Sequence, residues 1–130
     1  MRFTIAILFF LVIAAGRVNA GDIPCSLKNF STELNEEISS GLSVESVRNL
    51  LTDRYGIKGS EITQHTYETA ATLNTRIGEV VGVKSRLNVI LKRCHPMSAF
   101  FFETWFSGHY YFNDQGLLIN DEYFYTVNAL

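Results

Sequence analysis

The spacing of apolar residues changes once along this chain, and that change constrains the fold more than any other feature. Leu27, Phe30, Leu34 and Ile38 recur every three or four residues, the period of a helix with one buried face. Glu33, Glu36 and Glu37 fall on its other faces. Gly41 suits a helix C-cap, and Ser43 suits the N-cap of a second helix that turns Val44, Val47, Leu50 and Leu51 inward. Asp53-Arg54-Tyr55-Gly56 ends that helix, and the short link between the two predicts a helical hairpin. Residues 56–62 read as a loop. From Thr66 the period is two: Tyr67, Thr69, Ala71 and Leu73 alternate with Glu68, Ala70 and Thr72. Leu87, Val89 and Leu91 alternate in the same way with Arg86, Asn88 and Lys92, a strand with one wet face. Residues 76–82, with glycines on either side of Val80 and Val81, stay ambiguous. Helices followed by antiparallel strands predict an α+β fold, with an N-terminal helical hairpin packed on one face of a sheet in two layers.

The sharpest local signal lies near the end. Asn113-Asp114-Gln115-Gly116 separates Tyr110-Tyr111-Phe112 from Leu117-Leu118-Ile119, and Gly116 accepts the left-handed position that closes a hairpin. The last strand is expected to reach Val127, with Tyr123 and Tyr125 on one face and Phe124 on the other. Aromatic residues crowd 100–125, and such side chains favour strands. Phe100, Phe102 and Phe106 share one parity, suited to packing on the helices; Phe101, Glu103 and Trp105 share the other.

The first 20 residues read as a secretory signal peptide. Arg2 precedes an apolar run from Phe3 to Ala15, and Val18-Asn19-Ala20 offers small residues at the cleavage positions. Cleavage after Ala20 gives a single domain, 21–130, expected to be secreted or periplasmic. Loss of Arg2 and Arg17 from eleven basic residues leaves nine against thirteen acidic ones, a net charge near −4. No basic block remains, so a nucleic-acid binder is not expected, nor is stable membrane insertion after processing. Cys25 and Cys94 permit one intramolecular disulfide in an oxidising compartment, closing a loop of about 70 residues worth about 4 kcal/mol on the chain-entropy model. Asn29-Phe30-Ser31 fits the glycosylation sequon, which matters only in a eukaryotic secretory pathway.

Gly41-Leu42-Ser43 opening a helix with Val47 and Leu50-Leu51 resembles the helix start of the small SmpA/OmlA (BamE-like) envelope proteins. The run Tyr111-Phe112-Asn113-Asp114-Gln115-Gly116-Leu117-Leu118 is similar to their final hairpin. The resemblance implies two helices on a short antiparallel sheet, as in the β-lactamase-inhibitor-protein fold, and action by binding other proteins, with no catalytic residues. The chain departs from the family in two respects. It lacks the proline-containing turn after the second helix, and Asp22-Ile23-Pro24 before Cys25 is no lipid-attachment signal.

Sites of chemistry are sparse. His65, His95 and His109 lack the spacing of zinc ligands, and no metal or cofactor is expected. Cys94-His95 are neighbours whose side chains diverge on a strand. The acid pairs Glu36-Glu37 and Asp121-Glu122 read as solvated surface. No nucleophile elbow, phosphate loop or His-Glu-x-x-His motif occurs, and no catalytic residue is assigned. The expected function is non-enzymatic protein binding through an aromatic sheet face, as an envelope component or enzyme inhibitor, with Phe101, Trp105, Tyr110 and Tyr123 as contact residues. Burial of that face by a homodimer is the competing use of it. The alternative function is a cystatin-like or NTF2-like ligand-binding or hydrolytic domain with His109, Tyr111 and Glu103 in a pocket.

The disulfide is directly testable. Titration of the denatured, unreduced mature protein with a thiol reagent is expected to find no reactive cysteine, and two reactive thiols would show that Cys25 and Cys94 do not pair.

Overall fold

The structure is a computed structural model that describes residues 27–94 and 102–129. Helix α1 spans Leu27–Glu37 and α2 spans Val44–Asn49, the latter continued by one wide turn over Leu50–Arg54. Ser43 caps α2 as its sequence position predicts: its Oγ accepts the Ser46 N–H at 3.1 Å. Ile57 N–H then returns to the Leu51 carbonyl at 2.9 Å, with Gly56 at φ +67° making the exit turn.

Four antiparallel strands follow as a meander: β1 (Ile62–Thr75), β2 (Gly78–Cys94), β3 (Phe102–Phe112) and β4 (Leu118–Ala129), in that spatial order. The fold is thus α+β, as the change of period predicts. The β3–β4 turn forms where expected, with Gly116 N–H on the Asn113 carbonyl at 3.0 Å and Asn113 Oδ1 accepting from Gln115 N and Leu117 N. The link between the helices has a role that periodicity does not reveal. Gly41 N donates to the Leu118 carbonyl at 2.9 Å, and Leu118 N donates to the Leu42 carbonyl at 2.7 Å. Three residues of linker therefore pair with the start of β4.

The main buried cluster unites Leu34, Ile38, Val47, Leu51 and Tyr55 with Ile62, Leu87, Val89, Leu91, Phe106, Tyr110, Phe112 and Leu118. These strand residues define the core face of the sheet. Arg54 Nη2 meets Glu37 Oε1 at 2.8 Å within the helical segment, and Arg48 Nη2 of α2 donates to Gln64 Oε1 of β1 at 2.7 Å.

The opposite, outer face is covered in part by the chain itself. Between the pairs Thr66↔Ser85 and Ala71↔Val83, β1 carries more residues than β2, and the register slips again before Leu73↔Val80. Such bulges bend and twist a hairpin. Lys84 Nζ donates to the Glu68 carbonyl inside the first bulge, and Gly82, at φ +78°, supplies the second. The bent tip brings Val80 and Val83 onto Tyr111, with Tyr67, Leu73 and Ile119 beside them, as a second buried cluster. The ambiguous segment 76–82 is thus the turn and return of this folded hairpin.

Gly108 on β3 is where the core face leaves no room for a side chain. A Cβ there would lie 3.2 Å from Tyr123 Cε1 and 3.3 Å from both Cε2 and Oη of Tyr110. Gly108→Ala is expected to destabilise the protein by about 1–3 kcal/mol, the range for overpacking a filled core. A denaturant midpoint unchanged from wild type would show that the two rings yield freely.

Candidate functional site

Strand alternation sorts the aromatic residues onto two surfaces. On β3, Phe106, Gly108, Tyr110 and Phe112 face the core, whereas Trp105, Ser107, His109 and Tyr111 line the outer face. On β4 the register places Glu122 opposite His109, Phe124 opposite Ser107 and Thr126 opposite Trp105. The expected contact set therefore divides. Trp105 lies on the outer face, half-buried. Tyr110 is 0% exposed in the core, and Tyr123 packs against that same cluster, 5.9 Å from Tyr110 between ring centroids. These two do not share a surface with Trp105: Tyr110 has the opposite parity on the same strand, and Tyr123 pairs with Gly108 of the core face. Phe101 falls outside the described residues, as do the Cys25–Cys94 pairing and the Glu103 side chain.

The outer face is organised by a residue the sequence reading assigned to solvated surface. Glu122 is only 5% exposed. Its Oε1 accepts the Tyr111 hydroxyl at 2.7 Å and His109 Nδ1 at 3.0 Å, while Oε2 accepts the Arg76 backbone N–H at 3.1 Å. The expectation fails because the folded hairpin tip, contributed from 46 residues away, lands on it. Its neighbour Asp121 does diverge from it, toward the core side, where its carboxylate is buried beside the Tyr110 and Tyr123 hydroxyls. Counting pairs outward from the Asn113–Gly116 turn sets Asn120 or Asp121 opposite His109; the register shift between Tyr111 and Phe112 brings Glu122 there instead, so the sequence held no signal for this pairing.

Burial alone would push the Glu122 carboxyl up. Hydrogen bonds from Tyr111, His109 and the Arg76 N–H outweigh burial and hold it below the usual carboxylate range. Burial also lowers the His109 imidazole, an effect that Arg86 and Arg76 reinforce and Glu122 opposes. The Tyr111 phenol is pushed up, by burial first and then by its bond to Glu122. Rings complete the arrangement. His109 stands edge-on to Phe124 at 4.7 Å, and the Arg76 guanidinium carbon lies 4.1 Å from the Phe124 centroid.

Beside this network the outer face remains open. A groove of about 360 Å³ runs among Ile90, Trp105, Ser107, His109, Phe124 and Thr126, with Glu61 and Thr63 at its margin. His65 lies elsewhere, exposed on β1 and edge-on to Tyr67 at 4.7 Å. Among the described residues no group of three or more His, Cys, Asp or Glu is placed to hold a metal ion, and no helix is long and apolar enough to cross a membrane. No protein-family model, curated protein or solved structure matches the chain.

The two depressed pKa values act in the same direction on stability. An unfolded chain takes up protons on His109 from about pH 6.5 and on Glu122 from about pH 4.5, before the folded protein does. The stability they contribute is fully present above about pH 6.5 and is lost as pH falls through the lowered folded values. Urea midpoints measured from about pH 7.5 down to about pH 4 are expected to decline throughout, and His109→Asn to flatten the upper part of the decline. An upper part that is equally steep in the variant would remove His109 from the account.

Proposed function

We propose that this chain is a secreted or periplasmic, non-enzymatic protein-binding domain. In this reading α1 and α2 form a helical hairpin that backs the core face, and the open part of the outer face receives a protein partner. The arrangement is the one that resemblance to the BamE-like envelope proteins implies. The observation that carries the proposal is the locked setting of the outer-face rings. Glu122 ties His109 and Tyr111 to the hairpin tip, and Phe124 is held between His109 and Arg76. Side chains fixed before binding lose little freedom on association, which favours affinity. Trp105 and Phe124 then take the place of the expected quartet as anchors, being the large rings that line the groove.

The same network supports the second reading, a small-ligand pocket around His109 and Tyr111. There Glu122 occupies the role expected of Glu103. The two readings separate by experiment. The oxidised secreted protein is expected to capture a protein from an extracytoplasmic extract of its source. A folded Trp105→Ala, Phe124→Ala double variant should lose it, and Val81→Ser, altered at an exposed hairpin position, should keep it. Equal capture by all three proteins would place the binding surface elsewhere.

A further inference from the structure

The long β1–β2 hairpin belongs to the sheet at its base and to itself at its tip. β3 ends at Phe112, which pairs with Ser85, so the earlier residues of β2 pair with β1 alone. Those pairs are Ala71↔Val83, Leu73↔Val80, Asn74↔Glu79 and Thr75↔Gly78, and β1 stands at one end of the strand order. Residues 67–83 therefore carry a ladder of their own. Lifting them off the outer face breaks no pairing with β3.

The chain can bend where this segment begins. Between Thr66↔Ser85 and Ala71↔Val83 the extra residues of β1 form an arch, in which Glu68, Thr69 and Ala70 are exposed. Lys84 Nζ donates to the Glu68 carbonyl, a bond internal to the hairpin. On the other strand Gly82 sits at φ +78°, with nothing within 4 Å of where a Cβ would lie. Little has to repack at these positions for the angle to change. The fastening is also small. Val80 and Val83 are buried against Tyr111, with Tyr67, Leu73 and Ile119 beside them, whereas fourteen buried residues make the main core. The turn is held to β4 by the Arg76 N–H on Glu122 Oε2 at 3.1 Å and by the Arg76 guanidinium over Phe124. Both contacts lie at the turn, the point farthest from the arch.

We propose that residues 67–83 form a strap that opens from the outer face as one unit while the main core stays folded, hinged at the arch and Gly82 and latched by Glu122. Closed, the strap leaves Tyr111 2% exposed. Opening uncovers Tyr111 and Ile119 and lengthens the accessible strip of the outer face beyond His109. Glu122 keeps its bonds to Tyr111 and His109 and loses the one to Arg76. The strap is a property of the fold and stands whatever the outer face binds.

Hydrogen exchange of the intact protein at rising, sub-denaturing urea tests this without a substitution. A two-stranded hairpin is marginal by itself, so strap amides exchange once it lifts. The protected amides of 71–81 are expected to share one opening free energy, below that of the amides of β3. Their urea dependence should be finite but shallower than that of β3, because opening exposes the second cluster alone. No urea dependence would mean fraying in place, and exchange in step with β3 would mean opening only with the whole fold; either result overturns the strap. The Arg76 N–H reports the latch directly and should exchange with the rest of the strap. Greater protection there would show that Glu122 holds on while the hairpin frays. In Glu122→Gln a neutral acceptor replaces a charged one, and strap exchange should quicken about five- to ten-fold. Unchanged strap exchange in that folded variant would remove Glu122 as the latch.

Discussion

A buried carboxylate ties the strand-borne half of this domain together. Glu122 belongs to β4, its donors Tyr111 and His109 belong to β3, and its third donor is the backbone of the β1–β2 turn. Those partners are what make an ionised group tolerable at 5% exposure. Hydrogen bonds to charged groups are worth about 1.5–3 kcal/mol each, more than neutral ones. Together with the Arg76 guanidinium over Phe124, this anchor holds the tip of the long hairpin across the outer face. The second hydrophobic cluster, Val80, Val83 and Tyr111 with Tyr67, Leu73 and Ile119 against them, adds its contacts to that anchor. Stability of the tip and order in the groove thus have a common origin.

The sheet gains two different surfaces from one alternating sequence. Its core face is filled by large side chains, so that a Cβ at Gly108 would press on the Tyr110 and Tyr123 rings. Its outer face is divided along its length. One part is covered by the folded hairpin, and another is lined by rings and hydroxyls around a groove. This division is an outcome intermediate between a bare aromatic face and a sheet covered on both sides. It concentrates what is accessible into a short stretch centred on Trp105, His109 and Phe124.

Features set by neighbouring residues were legible in the sequence. The Ser43 cap and the Asn113–Gly116 turn depend on side chains two to four positions away, and the alternation of Leu87, Val89 and Leu91 depends only on the period. The parity that separates Phe124 from Tyr123 and Tyr125 was readable too. Which parity would meet the core was not, because that depends on where helices from the other end of the chain lie. Tyr110 was therefore expected on a surface it does not reach. The hairpin bend was hidden for a related reason. A bulge is a mismatch between two strands, and neither Thr66–Ala71 nor Gly82 reveals it without the other. Glu122 beside Asp121 looked like any exposed acid pair because its burial is created by the turn at Arg76.

The pairing of the inter-helix linker with the start of β4 has a consequence for how the chain reaches this state. Most contacts in the meander join neighbouring hairpin strands, which can zip from their turns. Leu118 instead donates to the Leu42 carbonyl and accepts from the Gly41 N–H, and Ser43 bridges to Leu117, joining the inter-helix linker to the last strand. Contacts between residues so distant in sequence form slowly, since the intervening chain must first be brought together. Leu34, Val47 and Leu118 belong to one buried cluster, so that core cannot close before the last strand exists. A nascent chain therefore emerges with its first helices waiting for β4 before that core can close.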